Sequence, residues 1–341
     1  MRITSITPMK DEAPFILEWI AYHQLIGVND MIVFSNDCTD GTDMMLERLD
    51  ELGIVRHLTN PSVFNKRTEH HRQATRYVNT LARLKRSDWV VSFDLDEFIC
   101  VNVGEGTLQD LFAAVDGANV ITMNQEHFGS GGLDAYEDKL VIDQFEYGWA
   151  YERSYNNTTI PRRGTKTLTH KSANASFYAN HSPNIDEADL PGVKYVNGSG
   201  APLDSRWLLE DVKVLHAPYC GYDLVQLNHY VIKSAESFLV QVDRGHANDV
   251  KRDIDVAYWR KHDNNHVHDT RIQRWSDRVA QAVAQLRKDP ELDALHNSAV
   301  QHHKDRIAAL LDDPESSKVY RRIRRYNAKN PGIVPFTTSD L

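Results

Sequence analysis

Cysteine is scarce in this chain and long apolar runs are missing. The three cysteines, Cys38, Cys100 and Cys220, are widely spaced and odd in number, which does not fit a disulfide framework or a cysteine zinc site. No stretch approaches the roughly 20 apolar residues that cross a bilayer. The first residues, MRITSITPMKDE, lack the apolar core of a signal peptide. We therefore expect no transmembrane segment and a reducing, cytoplasmic location.

Positive charge is also in deficit. The formal net charge is -9, which argues against nucleic acid as the main partner, because phosphate binding needs a basic field. The strongly basic run is residues 321–325, RRIRR. It could touch acidic lipid or a polyanionic glycan, so peripheral membrane contact stays open, but we interpret it as a solvated helix face or tail.

What the sequence does have is a regular alternation of strand and helix signals over its first hundred residues. Strands are predicted at Arg2–Thr7, at Met31–Phe34, from Ile54 onward and at Trp89–Phe93, with helices after Asp11, Thr42 and Thr68. This order predicts an α/β fold with a mostly parallel central sheet and flanking helices. A short helix at Leu108–Val115 and a strand at Val120–Asn124 follow, and the chain is helical in character after Ser234.

Three acids interrupt an apolar strand in the stretch from Val90 to Val101, VVSFDLDEFICV. Strand alternation would place Asp94 and Asp96 on one face and Glu97 on the other. Two converging carboxylates suit Mg²⁺ or Mn²⁺, which could neutralise the charge of a leaving nucleotide diphosphate. In parallel sheets, ligands bind beyond the carboxyl ends of the strands, where these acids lie. The alternative is a solvated strand end whose acids cap the next helix.

Several motifs resemble a known family. The sequence is similar to the glycosyltransferase family 2 pattern, and more narrowly to its branch close to glycosyltransferase family 92, at TPMKDE (7–12), LEWIAYH (17–23), NDCTDGT (36–42), FDLDEF (93–98) and NHYVIKS (228–234). The resemblance implies a GT-A fold in which two halves share one sheet. The expected divisions are a nucleotide-sugar-binding half (1–103), an acceptor-binding half (104–245) and a helical C-terminal extension (246–341).

The resemblance also implies roles for particular residues. The nucleotide pocket would include Thr7, Pro8, Glu12 and Asp37, whereas Arg72 and Gln73 would face the diphosphate or the donor sugar. Asp94 would lie near the ribose and the metal, Asp96 would be the main metal ligand, and His229 would be a third ligand. Lys233 would lie on the same face as His229 if this segment were helical; it could neutralise the pyrophosphate or be an exposed lysine.

An inverting transfer needs a base that deprotonates the acceptor hydroxyl. Glu126 is the first candidate, followed by Asp186 and Asp223, and no motif decides among them. The histidines in HDNNHVHD (262–269) have ligand-like spacing, but we interpret this polar stretch as a solvated turn instead of a zinc site.

The favoured hypothesis is therefore a metal-dependent, hexosyltransferase-like enzyme that moves a sugar from a nucleotide donor, preferably a UDP-sugar, to a glycan acceptor. A phosphohydrolase of the haloacid dehalogenase kind also carries Asp-x-Asp after a strand. There Gly-Thr should follow, whereas Glu97 and Phe98 follow here. A non-catalytic nucleotide-sugar or glycan-binding module remains the alternative.

Overall fold

The computed structural model of the protein describes residues 1–65, 69–149, 162–245 and 256–330. The strands are β1 (Ile3–Met9), β2 (Asp30–Ser35), β3 (Arg56–Thr59), β4 (Trp89–Ser92), β5 (Glu97–Val101), β6 (Val120–His127), β7 (Tyr147–Gly148), β8 (Arg162–His170), β9 (Phe177–Tyr178), β10 (Pro183–Asn184), β11 (Tyr195–Val196), β12 (Val214–His216), β13 (Val225–His229) and β14 (Val267–His268). The helices are α1 (Ile16–Ile26), α2 (Thr42–Glu51), α3 (Ser62–Asn65), α4 (His70–Val78), α5 (Leu108–Ala114), α6 (Val141–Gln144), α7 (Ala235–Arg244), α8 (Val256–His262), α9 (Ser276–Leu286), α10 (Pro290–Asp312) and α11 (Pro314–Lys329).

One mixed sheet runs through both predicted halves. Its main strand order is β3-β2-β1-β4-β8-β6-β13-β5. The first four strands pair in parallel, whereas β8 is antiparallel to both β4 and β6. The predicted α/β class with a helical C-terminal region is confirmed, and the parallel character belongs to the N-terminal side of the sheet.

Several predicted element boundaries were wrong. Strand β4 ends at Ser92 and β6 continues to His127, so Glu126 lies inside a strand. Helix α4 ends at Val78, before Leu81, and its predicted cap, Thr68, lies outside the described residues. The segment after His229 is not helical before α7, so helical spacing does not relate His229 to Lys233.

Helix α1 is apolar on nearly all sides and is buried accordingly. It is anchored to the strand that follows the acids, because the Trp19 indole N–H donates to the Glu97 carbonyl (3.1 Å) and the Tyr22 hydroxyl donates to the Ile99 carbonyl (2.8 Å). Their rings contact Phe93 and Phe98. This packing fixes β5 from behind and thereby positions the preceding turn.

The C-terminal helices pack against α7, where Phe238, Trp259 and Ile323 share a small apolar cluster. The arginines of residues 321–325 are exposed on α11 around the buried Ile323, which confirms the predicted solvated helix face. No helix in the described ranges is long and apolar enough to cross a membrane.

Candidate active site

The Asp-x-Asp segment is a turn between two strands, and strand alternation does not describe it. β4 ends at Ser92 and β5 begins at Glu97. The Glu97 N–H donates to the Asp94 carbonyl (3.1 Å), and the Asp94 N–H donates to the Glu97 carboxylate (2.9 Å). The Tyr230 N–H donates to the Asp96 carbonyl (2.8 Å). Backbone and side-chain hydrogen bonds therefore fix the turn from both sides.

The turn faces a cavity of about 460 Å³ at the carboxyl ends of β1, β6 and β13. Its lining includes four histidines and three cations: His71, His127, His229, His262, Lys10, Arg244 and Lys261. Pro8, Glu12, Asp94 and Asp96 line the same cavity. The structure thus gathers several of the predicted site residues around one space.

Asp94 is held by cationic and imidazole partners. The ammonium of the fully buried Lys166 lies 3.3 Å from Asp94 Oδ2, and His71 Nδ1 lies 3.5 Å from Asp94 Oδ1. Burial alone would raise the pKa of the Asp94 carboxyl, but Lys166 and then His71 outweigh it and lower the pKa below its usual value. Asp94 is therefore ionised at neutral pH.

Asp96 has a different partner. His229 Nε2 lies 3.3 Å from Asp96 Oδ2. Burial opposes ionisation here too, yet the pKa of Asp96 falls well below its usual value because His229 and then Lys233 stabilise the carboxylate. Burial would likewise lower the pKa of the His229 ring, but Asp96 raises it above its usual value.

Glu97 does not point away from the other acids, as strand alternation predicted. It is fully buried, accepts from the Gln125 side chain and lies 3.6 Å from Lys166 Nζ. Burial raises the pKa of its carboxyl despite the nearby ammonium. Glu97 therefore faces a basic neighbour, the buried ammonium of Lys166.

His262, Asn264 and Asn265 are buried, so the interpretation of residues 262–269 as a solvated turn was wrong for the first half of this stretch; Val267 and His268 are exposed. His262 lines the cavity, and its Nδ1 lies 3.3 Å from His127 Nδ1. A side chain at Gly129 would collide with the Asn264 backbone at 2.6 Å, so glycine permits this close packing. Burial, and then His229, hold the pKa of His127 well below its usual value, so this imidazole is neutral.

Glu12 lines the cavity, and Lys233 borders a recess beside it. Glu12 forms an ion pair with Arg244, which also donates to the Lys10 carbonyl (2.8 Å). Lys233 has a left-handed backbone (φ 54°) and borders a small recess shared with Asp96. A non-glycine residue in that conformation is uncommon and is often found at functional sites.

Other predicted contacts do not line the cavity. Arg72 is exposed and pairs with Glu69, so α4 presents His71 to the cavity in its place. Asp37 is exposed at the end of β2, while Thr7 and Gln73 are buried beside the site without lining it.

None of the three predicted bases lies in this cavity. Gln125 and His127 line it, whereas Glu126 projects from the other face of β6, where it accepts from the Trp149 N–H (2.8 Å). Burial raises the pKa of Glu126 to about 8. Asp186 is exposed and follows Ile185, which packs on Val120 at the opposite end of β6, about 20 Å from His127.

The third candidate, Asp223, is exposed and precedes β13, whereas His229 ends that strand. Sequence reasoning also missed Lys166, His71 and His127, which come from separate elements. One signal was available for Lys166, because a lysine in the middle of the strand-like RRGTKTLTH is unusual inside a sheet.

Comparison with known proteins places the chain in a family. A glycosyltransferase family 92 protein of rice (Oryza sativa subsp. japonica) is 31% identical over 108 residues, which are 31% of this chain and 17% of the relative. One of Arabidopsis thaliana is 30% identical over 95 residues, 27% of this chain and 15% of the relative. The aligned part is thus a small fraction of each relative's length.

Among solved structures, residues 1–349 of TarS from S. aureus align over 99% of this chain and 94% of that one, at 12% identity with a TM-score of 0.34. Mannosyl-3-phosphoglycerate synthase from Rubrobacter xylanophilus aligns over 37% of this chain and 41% of that one, at 12% identity with a TM-score of 0.27. The sequence model of glycosyltransferase family 92 matches residues 3–187, more than half of the protein, and the chain therefore belongs to glycosyltransferase family 92.

Proposed function

We propose that the protein is a metal-dependent glycosyltransferase of GT-A type that moves a sugar from a nucleotide donor, preferably a UDP-sugar, to a glycan acceptor with inversion. Family membership supports glycosyl transfer. The observation that carries the rest is the Asp94–Asp96 turn, which faces a cavity lined with cations at the carboxyl ends of the strands. The division into donor half, acceptor half and C-terminal extension belongs to the same proposal.

The Asp96 carboxylate and the His229 ring are spaced so that both could bind one divalent cation. Two adjacent ligands about 2.1 Å from an octahedral ion lie about 3.0 Å apart, close to the 3.3 Å between Asp96 Oδ2 and His229 Nε2. Among the described residues, no group of three or more acidic, histidine or cysteine side chains is arranged as a metal site. Asp96 and His229 would therefore hold Mn²⁺ or Mg²⁺, leaving other positions for water and phosphate oxygens.

The ion would act as a Lewis acid on the leaving diphosphate. The chain supplies further positive charge in Arg244, Lys10 and Lys261, all of which line the cavity. Arg244 is well placed for a phosphate because Glu12 and the Lys10 carbonyl already orient its guanidinium. Lys233, beside Asp96 in the adjoining recess, would add to this field.

Since Glu126 projects from the other face of β6, the proton-accepting role falls to a group inside the cavity. We assign it to His127, whose imidazole is neutral and lines the cavity beside His229. A neutral imidazole can take the proton of the acceptor hydroxyl as the sugar bond forms. His262, in contact with the ring of His127, would orient it.

A panel of nucleotide sugars assayed for Mn²⁺-dependent hydrolysis and transfer tests the proposal. We expect at least one UDP-sugar to be turned over, and Asp96→Asn to remove that activity. Asp186→Asn is the matched control, because it neutralises an exposed carboxylate far from the cavity and should keep full activity. A silent panel combined with tight nucleotide-sugar binding would favour the non-catalytic module, and unchanged hydrolysis in Asp96→Asn would refute the metal site.

A further inference from the structure

Lys166 lies in the middle of β8, and its ammonium group is not exposed to solvent. Its Nζ lies 3.1 Å from Asn180 Oδ1, 3.3 Å from Asp94 Oδ2 and 3.6 Å from Glu97 Oε2. A buried charge is tolerated only where other charges and hydrogen bonds compensate it. Lys166 is therefore built into the acidic turn as a permanent counter-ion.

The partners of Lys166 are themselves held in place. Asn180 also accepts from the Ser92 hydroxyl at the end of β4 (3.1 Å), and Glu97 accepts from the Asp94 N–H and the Gln125 side chain. Because these bonds fix both neighbours of the ammonium, Lys166 engages Oδ2 of Asp94 although the Asp94 side chain lines the cavity.

Asp96 has a different partner. Its carboxylate contacts His229 on the cavity wall, and its side chain is 20% exposed, compared with 32% for Asp94. Two acids separated by one residue thus have different counter-charges: the fully buried ammonium of Lys166 faces the first, whereas His229, Lys233 and Arg244 at the cavity wall and its adjoining recess face the second.

We propose that Lys166 is a positioning residue that withholds Asp94 from the divalent cation. The ion is then held by Asp96 and His229 alone, and becomes tightly bound only when a nucleotide diphosphate supplies further oxygens. This inference rests on the proposed function. Its consequence is strong positive coupling, in which nucleotide raises Mn²⁺ affinity and Mn²⁺ raises nucleotide affinity by the same factor.

The test measures Mn²⁺ binding by the loss of the free-ion electron paramagnetic resonance signal, with and without UDP. The wild type should bind Mn²⁺ weakly alone and much more tightly with UDP. Lys166→Met removes one positive charge beside Asp94, so affinity for Mn²⁺ alone should rise about tenfold. The effect of UDP on that affinity should shrink by the same factor.

Lys171→Met is the matched control, since Lys171 follows the same strand and pairs with Asp88 away from the cavity. It should leave Mn²⁺ binding unchanged. A purely structural role for Lys166 predicts equal or weaker Mn²⁺ binding in a folded Lys166→Met protein, and that result would overturn the proposal. Folding is checked by cooperative thermal unfolding.

Asp94→Asn keeps Lys166 in place and decides the matter if Lys166→Met does not fold. Affinity for Mn²⁺ alone should be little changed in Asp94→Asn and lost in Asp96→Asn; an equal loss in both would make Asp94 a ligand and refute the inference. If the wild type binds Mn²⁺ with UDP but the variants contradict the pattern, only the role of Lys166 falls. If no protein binds Mn²⁺ with or without UDP, the metal site and this inference both fall.

Discussion

Two sets of buried carboxyl groups in this protein differ in the direction in which their pKa values are shifted. Burial raises the pKa of Glu18 and of Glu126 to about 8, although Glu18 accepts from two backbone N–H groups and Glu126 lies near the Arg163 guanidinium. Asp94 and Asp96 also lose solvent, yet Lys166 and His229 hold the pKa of each below its usual value. Depth alone therefore does not decide the charge of a buried acid: the partners outweigh burial at Asp94 and Asp96, but not at Glu18, Glu126 or Glu97.

The largest effect is expected when one acid from each set is replaced by its amide. Asp96→Asn should lower Mn²⁺-dependent turnover by about 10²–10³-fold because it removes the carboxylate that we propose as a metal ligand. Glu126→Gln should keep turnover near the wild-type level, since its side chain projects from the other face of β6. Steady-state kinetics with the identified donor measure both; inactive, folded Glu126→Gln with normal donor binding would restore Glu126 as the base.

The proposed base, His127, can be tested in the same way. His127→Gln keeps a polar side chain of similar reach but removes the basic nitrogen, so kcat should fall about 10²-fold. UDP affinity, measured by calorimetry, should stay close to that of the wild type. His57→Gln is a suitable control, because His57 bonds Ser35 outside the cavity lining, and an equal kcat loss there would contradict the assignment.

Arg244 tests the cationic side of the cavity. Arg244→Gln should weaken UDP binding about tenfold, because a charge-assisted contact to phosphate is lost. Arg306→Gln, which removes a guanidinium paired with Asp243 on the outer side of α7, should have no effect. Affinity unchanged in Arg244→Gln would place the diphosphate elsewhere.

The smallest expected effect concerns the neutral acids. The folded protein retains the Glu126 proton up to about pH 8, whereas the unfolded chain releases it near pH 4.5. Unfolding therefore releases a proton between these values, and stability falls as pH rises through the folded pKa.

Because of this group alone, the free energy of unfolding should be about 2–3 kcal/mol lower at pH 10 than at pH 6. Glu126→Gln should remove that part of the pH dependence, so its melting temperature relative to the wild type should rise with pH. Parallel thermal scans at the two pH values measure it, and a constant difference would mean that Glu126 is ionised in the folded protein.

Much of the fold was predictable because local signals and tertiary structure agree in the first hundred residues. The apolar runs of β1, β2 and β4 and the amphipathic α2 have the expected periods. The alternation argument failed between Phe93 and Asp96 because the chain turns there, and turn geometry is not encoded in a period of two.

The site was predictable only where its residues are adjacent in sequence. Asp94 and Asp96 could be found from one segment, and His229 from a motif. His71, His127 and Lys166 come from α4, β6 and β8, and they meet only through the strand order β4-β8-β6. No local sequence pattern predicts that residues so far apart in the chain lie close together in the fold.

The position of Lys166 also has a consequence for how the chain folds. During synthesis the turn at Asp94–Glu97 emerges about 70 residues before its counter-ion, and β4 completes its pairing only when β8 inserts beside it. Non-local strand pairing of this kind is slow. A nascent chain that ends before β8 therefore exposes both an unpaired strand edge and an uncompensated acidic turn, and the proposed active site forms late in folding.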